Sequence, residues 1–298
     1  MTEPTAPTVL SVIERMADKL DAAGLSFADG YGQGTTNAFD EAAWLVLWKL
    51  GFAIDDLDSV QNQPVVHADI ASIAMIFEQR IATRQPAAYL TREAWLLGVP
   101  FYVDERVIIP RSLIAEALFD ESIDPWLGAH TSRVLDLCTG NGSLAVLAAM
   151  VYPDVVVDAA DISADALAVA RINVNKHALG NRITLIESDG LAACIGLYDL
   201  IICNPPYVNA ASMAVLPAEF RAEPALALAG GSDGMDFIRQ LFETVGGYMS
   251  ENAVLVLEIG HEKRYFNQAF PELEPLWLDT SAGNEQLLLL TREQLALR

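Results

Sequence analysis

The chain has 298 residues, 52% of them hydrophobic, enough to build a large core in one domain or two. Forty acidic against 18 basic residues give a formal charge of −22, which repels phosphate backbones and suits a basic partner, though it equally serves solubility or a saline habitat. No run approaches the roughly 18 apolar residues of a membrane span and no signal-peptide pattern opens the chain, while four histidines and three cysteines (Cys138, Cys194, Cys203) are too scattered for a metal site or a disulfide framework, so a cytoplasmic protein without metal is expected.

Val9, Leu10, Val12, Ile13, Met16 and Leu20 recur at helical spacing, as do Ala42, Leu45, Val46 and Leu50, and a third helix is predicted over 70–81, ending before Pro86. A glycine-rich loop from Gly30 to Asn37 separates the first two, with Asp40 placed to cap the second. Together these predict a small helical domain over 1–86. From Ala88 to Ile109 the pattern turns to β: Tyr89 and Leu90, then Trp95 to Leu97, a turn at Gly98, Phe101 to Val103, and Arg106 to Ile109. A hairpin over 87–110 is therefore expected to link two domains. Pro110 ends it, and Arg111, Ser112 and Glu116 open a helix.

Beyond Ser132 strands and helices alternate. Strands are predicted at 133–138, 155–160, 182–187, 198–203, 253–259, 275–279 and 286–291, with helices near 143–152, 163–178, 235–249 and 262–269. That order gives an α/β fold over 111–298, a doubly wound, mostly parallel sheet of seven strands.

Four strand ends carry the chemistry. The first runs into Cys138, Thr139, Gly140, Asn141, Gly142, a glycine turn that lets backbone approach a nucleotide-like ligand. It lacks the third glycine of a dinucleotide fingerprint, and Asp136 would repel a pyrophosphate but welcome a cationic amino-acid cofactor. Asp161 closes the second strand, where a carboxylate grips two ribose hydroxyls; Ser188 and Asp189 close the third, within reach of an adenine amino group. The fourth ends in Asn204, Pro205, Pro206, Tyr207, and consecutive prolines turn the chain sharply at the ligand edge. Asn204 and a proline carbonyl there can address a planar NH₂ group, with the Tyr207 ring as a wall. A nucleoside cofactor and a nitrogen acceptor of methyl follow.

With these motifs the chain resembles the class I S-adenosylmethionine methyltransferases, and among them the protein N(5)-glutamine methyltransferases of the HemK group. The likeness extends to Phe101, Tyr102, Val103, to Val107 through Arg111, to Glu223, Pro224, Ala227, Leu228, Gly230, Gly231, Asp233 and Gly234, and to Leu257, Glu258, Ile259, Gly260. Tyr31, Gly32, Gly34, Thr35, Asn37, Asp40, Glu41 and Ala42, with Asp104, Glu105, Arg106, Leu216, Pro217 and Arg221, are similar to the branch that methylates a glutamine of large ribosomal subunit protein three rather than peptide-chain release factors. The resemblance implies S-adenosylmethionine as cofactor, held by Asp136, Cys138, Thr139, Gly140, Asn141, Gly142, Asp161, Ile162, Ser188, Asp189 and Asn204. It implies Asn204, Pro205, Pro206 and Tyr207 as catalytic and Phe101, Pro110, Arg111, Asn204 and Tyr207 as substrate-binding, with no metal. Leu113 stands where the group carries proline, and Gly190 where release-factor enzymes carry an aromatic.

The implied partner is a basic ribosomal protein, free or in an assembling large subunit. The alternatives are release-factor methylation, adenine N(6) methylation of nucleic acid, which the acidity disfavours, and a non-catalytic assembly factor that uses the fold as scaffold.

Overall fold

A computed structural model describes residues 6–26, 31 and 33–296. The chain divides into two compact units, 1–94 with 217–222, and 95–216 with 223–298.

The first unit is helical: α1 (Val9–Ala22), α2 (Ala38–Leu50), α3 (Leu57–Val60), α4 (His67–Thr83) and α5 (Ala87–Thr91). Val12, Ile13, Met16 and Leu20 on α1 are buried with Ala42, Leu45, Val46 and Leu47 on α2, which is the periodicity that predicted them. Of the loop before α2, Gly30 and Gly32 lie outside the described residues. The cap is Asn37, not Asp40: the Asn37 side chain accepts the Asp40 N–H at 2.9 Å, and its amide donates to Asp40 Oδ2 at 2.7 Å, so Asp40 holds the cap in place. The strand expected at Tyr89 and Leu90 is helix α5 instead. Pro86 sits at its N-cap, where the missing N–H costs the helix no hydrogen bond, and two apolar residues are too few to distinguish the periods.

Buried charge ties this unit together. Arg80, fully buried, donates to Glu41 at 2.8 Å and to Glu219 at 3.0 Å, and Arg84 donates to Glu219 at 2.5 Å, so residues 217–222 pack within the helical unit.

A hairpin of β1 (Ala94–Leu96) and β2 (Val99–Phe101) follows, turning at Leu97 and Gly98, both at positive φ. The division between the units falls inside β1, between Ala94 and Trp95. Residues Arg106 to Ile109 are not a strand as expected. Asp104 takes the Arg106 backbone N–H at 3.1 Å and its guanidinium at 2.8 and 2.6 Å, which curls the chain into a turn.

In the second unit, α6 (Ile114–Phe119) leads to β3 (Arg133–Leu137), α7 (Ser143–Val151), β4 (Val156–Asp161), α8 (Ala164–Lys176), β5 (Ile183–Glu187), β6 (Tyr198–Cys203), α9 (Ala210–Ala214), α10 (Asp236–Thr244), β7 (Met249–Glu258), α11 (Lys263–Ala269), β8 (Leu276–Trp277), β9 (Leu287–Thr291) and α12 (Arg292–Ala296). The seven-stranded sheet runs β5-β4-β3-β6-β7-β9-β8, parallel except for β9, which is antiparallel to both β7 and β8. Alternation divides the core between two faces. Val134, Leu200, Ile202 and Val254 pack with α6 and α7, whereas Leu135, Ile201, Leu255 and Leu257 pack with α10 and α11. Strand order reverses between β3 and β6, whose paired ends Leu137 and Cys203 put the loops after them side by side, the position where open α/β sheets bind ligands.

Candidate active site

A cavity lies over that reversal. Its wall takes Cys138, Thr139, Gly140 and Asn141 from the loop after β3, Asp161 and Ile162 after β4, Ser188, Asp189 and Gly190 after β5, and Asn204 and Pro206 after β6. Pro110 and Arg111 line it too, with Arg106, Pro224, Leu226 and Phe237, to which the sequence reading gave no site role.

The loop after β3 folds back by left-handed backbone at Cys138 (φ 62°), Gly140 (55°) and Gly142 (79°). Gly142 is behind the wall: a Cβ there would lie 3.1 Å from the Ala170 Cβ, so its bareness lets α7 and α8 approach. Asn173, fully buried on α8, donates to the Asn141 carbonyl at 2.8 Å and exchanges hydrogen bonds with the Tyr102 backbone at 2.7 and 3.0 Å, fixing the loop from below. An isolated asparagine inside an amphipathic helix gave no signal of this.

Asp136 is fully buried beneath the loop. Its Oδ2 accepts from the Thr139 hydroxyl at 2.5 Å and the Ala145 N–H at 2.9 Å, while Oδ1 has no partner, nor has the buried Asn141 Nδ2. Burial pushes its carboxyl up to about 7 against the pull of those two donors. Asp161 is half-buried. Its Oδ2 accepts the Gly140 N–H at 2.8 Å and its Oδ1 the Ser163 N–H at 2.9 Å, leaving a lone pair on each oxygen; burial again raises its pKa, with backbone donors opposing. Asp136, read as cofactor-binding, therefore lies beneath the cavity and outside its lining, because the loop after β3 folds over it; Asn141 and the Asp161 carboxylate with its spare acceptors are in the wall and fit an amino-acid nucleoside such as S-adenosylmethionine.

After β6 the chain is gripped by glycines. A Cβ on Gly230 would lie 2.7 Å from the Pro206 carbonyl oxygen and 2.8 Å from the Tyr207 Cα. Pro205 and Tyr207 are not in the cavity lining. Tyr207 rests on Gly260, and its hydroxyl donates to Glu258 Oε1 at 3.1 Å; burial and the neighbouring Glu258 charge raise its pKa. Arg111 is held by Glu223 through both terminal nitrogens, at 2.6 and 2.8 Å, so its charge is neutralised within the wall. Phe101, read as substrate-binding, is instead fully buried in the core, its ring 5.3 Å from that of His177, because the β2 pleat turns it inward. Cys203 is buried with its thiol pushed well up by desolvation and then by Cys138, which suits packing rather than nucleophilic attack.

Residues 114–230 match the model of the methyltransferase small domain. The chain is 49% identical over 97% of its length to the ribosomal protein uL3 glutamine methyltransferase of Bordetella pertussis, covering 96% of that protein. To its namesake in Burkholderia pseudomallei it is 45% identical over 99% of the chain and 98% of the relative. Among solved structures, the hMettl16 catalytic domain in complex with MAT2A 3'UTR hairpin 6 superposes with a TM-score of 0.51 over 76% of this chain and 81% of that one, at 11% identity, a likeness of fold.

Proposed function

We propose a function from the premise that the chain belongs to the ribosomal protein uL3 glutamine methyltransferase family. It is a methyltransferase, and it methylates a glutamine of ribosomal protein uL3; release-factor methylation is not favoured. The observation that carries the reading is the convergence of four strand-end loops, bearing Gly140, Asp161, Ser188 and Asn204, on one cavity. We assign S-adenosylmethionine to it, with Asn141 and the loop that Asp136 supports from beneath toward the amino-acid end, Asp161 toward the ribose, and Ile162, Ser188 and Asp189 toward the adenine. When bound, that cofactor supplies an electrophilic methyl group on a sulfonium.

The chain's own contribution is positioning. An amide nitrogen is a weak nucleophile because its lone pair is delocalised into the carbonyl. Asn204 Oδ1, on the cavity wall, accepts an amide hydrogen of the glutamine, which turns the lone pair toward the methyl and favours its pyramidal form; Pro205, read as carrying the second acceptor, is outside the lining and fixes the turn instead. The Tyr207 ring braces the turn that carries Asn204, and the extra proton leaves to water after transfer. No metal and no covalent step on the protein is required by this scheme. The helical unit, with its Tyr31 to Ala42 segment, is assigned the reading of uL3, and the cytoplasm, where ribosomes assemble, is the assigned compartment.

Asn204→Ala tests the scheme. It should bind the cofactor within about twofold of wild type by calorimetry yet lose methyl transfer by about a hundredfold or more. Undiminished turnover removes Asn204 from the chemistry.

A further inference from the structure

Glu258 closes β7 with 4% of its surface exposed, and its carboxylate is fully engaged. Oε1 accepts the Tyr207 hydroxyl at 3.1 Å; Oε2 accepts the Ser112 hydroxyl at 2.5 Å and the Leu113 N–H at 2.9 Å. All three partners donate to it, which suits a carboxylate; an amide would keep the contact to Tyr207 only by turning that hydroxyl from donor to acceptor. Burial raises its pKa, while these donors and then Arg111 pull it back. Two residues on, Gly260 leaves a gap that the Tyr207 ring fills: a Cβ there would lie 2.5 Å from the ring Cε2. The ring therefore has one seat, with its edge on Gly260 and its hydroxyl on Glu258. Ser112 and Asn204 both line the cavity, so the same carboxylate touches two segments of its wall, the Ser112 segment and the acceptor turn.

We infer that Glu258 is a positioning residue for methyl transfer, which fixes the Asn204 to Tyr207 turn against the Ser112 to Leu113 backbone without touching substrate. The inference rests on the function proposed above. Tyr207 lies three residues after Asn204, and a shift of about 1 Å in such a turn costs on the order of a hundredfold in rate when reacting atoms must be in line. The Glu223 carboxylate has the complementary role in the preceding segment, where it accepts the Ile109 N–H at 2.9 Å as well as Arg111. Glu258 differs because its partners include the acceptor turn itself.

The test is a double-mutant cycle on methyl transfer to uL3, using wild type, Glu258→Gln, Tyr207→Phe and the pair, with cofactor affinity by calorimetry. Each single variant should lower kcat about tenfold, leave the cofactor Kd and the KM for uL3 within about threefold, and the pair should be no worse than either alone. Wild-type turnover in Glu258→Gln, or losses that multiply in the pair, overturns the inference. Should Glu258→Gln no longer bind cofactor, Tyr207→Phe and Ser112→Ala, which each remove one donor to the same carboxylate, decide it: unchanged kcat in both is contradictory. A wild-type enzyme that transfers no methyl to uL3 would overturn the functional reading instead, before any variant is compared.

Discussion

Asp136 and Asp161 carry the same chemical group to different ends. Asp161, half-buried on the cavity wall, accepts one backbone N–H on each oxygen and keeps a lone pair on each. In Asp161→Ala the cofactor Kd should rise about tenfold or more, since two hydroxyl contacts to a charged acceptor are lost; unchanged affinity by calorimetry contradicts the ribose role. Asp136 is enclosed, and its folded pKa of about 7 means that the native state holds a proton which the unfolded chain releases near pH 4. Its contribution to stability is therefore fully present below about pH 4 and is lost as pH rises to about 7, on the order of 4 kcal/mol in all. Asp136→Asn keeps an acceptor for Thr139 and Ala145, and urea unfolding of the cofactor-free protein should lose less stability across that interval than wild type. Equal slopes would show that the carboxyl ionises freely. The strand-end acids and the glycine turn were legible because they fall at fixed places after apolar runs. Glu258 appeared only as one residue of a resemblance, since its three partners come from positions 51 to 146 residues away.

The acceptor turn depends as much on what is absent around it as on its own residues. Backbone of Pro206, Tyr207 and Gly234 approaches within 2.8 Å of where a Gly230 Cβ would stand, so none of these atoms is the yielding end of a flexible side chain. Gly230→Ala should lower unfolding stability by about 1–3 kcal/mol and reduce methyl transfer; a variant as stable as wild type contradicts the close fit. At this scale the sequence reading located the seven strands within a few residues, because strict alternation or continuous apolar character marks strands buried on one or both faces. It failed where tertiary contacts override local pattern. Phe101 looks available in a short hairpin but the pleat sends it into the core, and the 106–109 run is curled by Asp104. The 217–222 segment belongs to the helical unit through Glu219, whose partner Arg80 is 139 residues distant, and no composition shift announces it.

Charge acts on the molecule as a whole. A formal −22 is unsuited to a nucleic-acid substrate and favours encounter with a basic one. The fold alone does not choose an acceptor, and the charge together with the family membership selects the protein amide. The most direct measurement is transfer of labelled methyl from S-adenosylmethionine to uL3, a release factor and DNA offered side by side, followed by peptide mass spectrometry of the labelled species. One added methyl on a single glutamine of uL3, absent with Asn204→Ala, is the predicted result. Label on the release factor or DNA in preference to uL3, or on a uL3 residue other than glutamine, would contradict it.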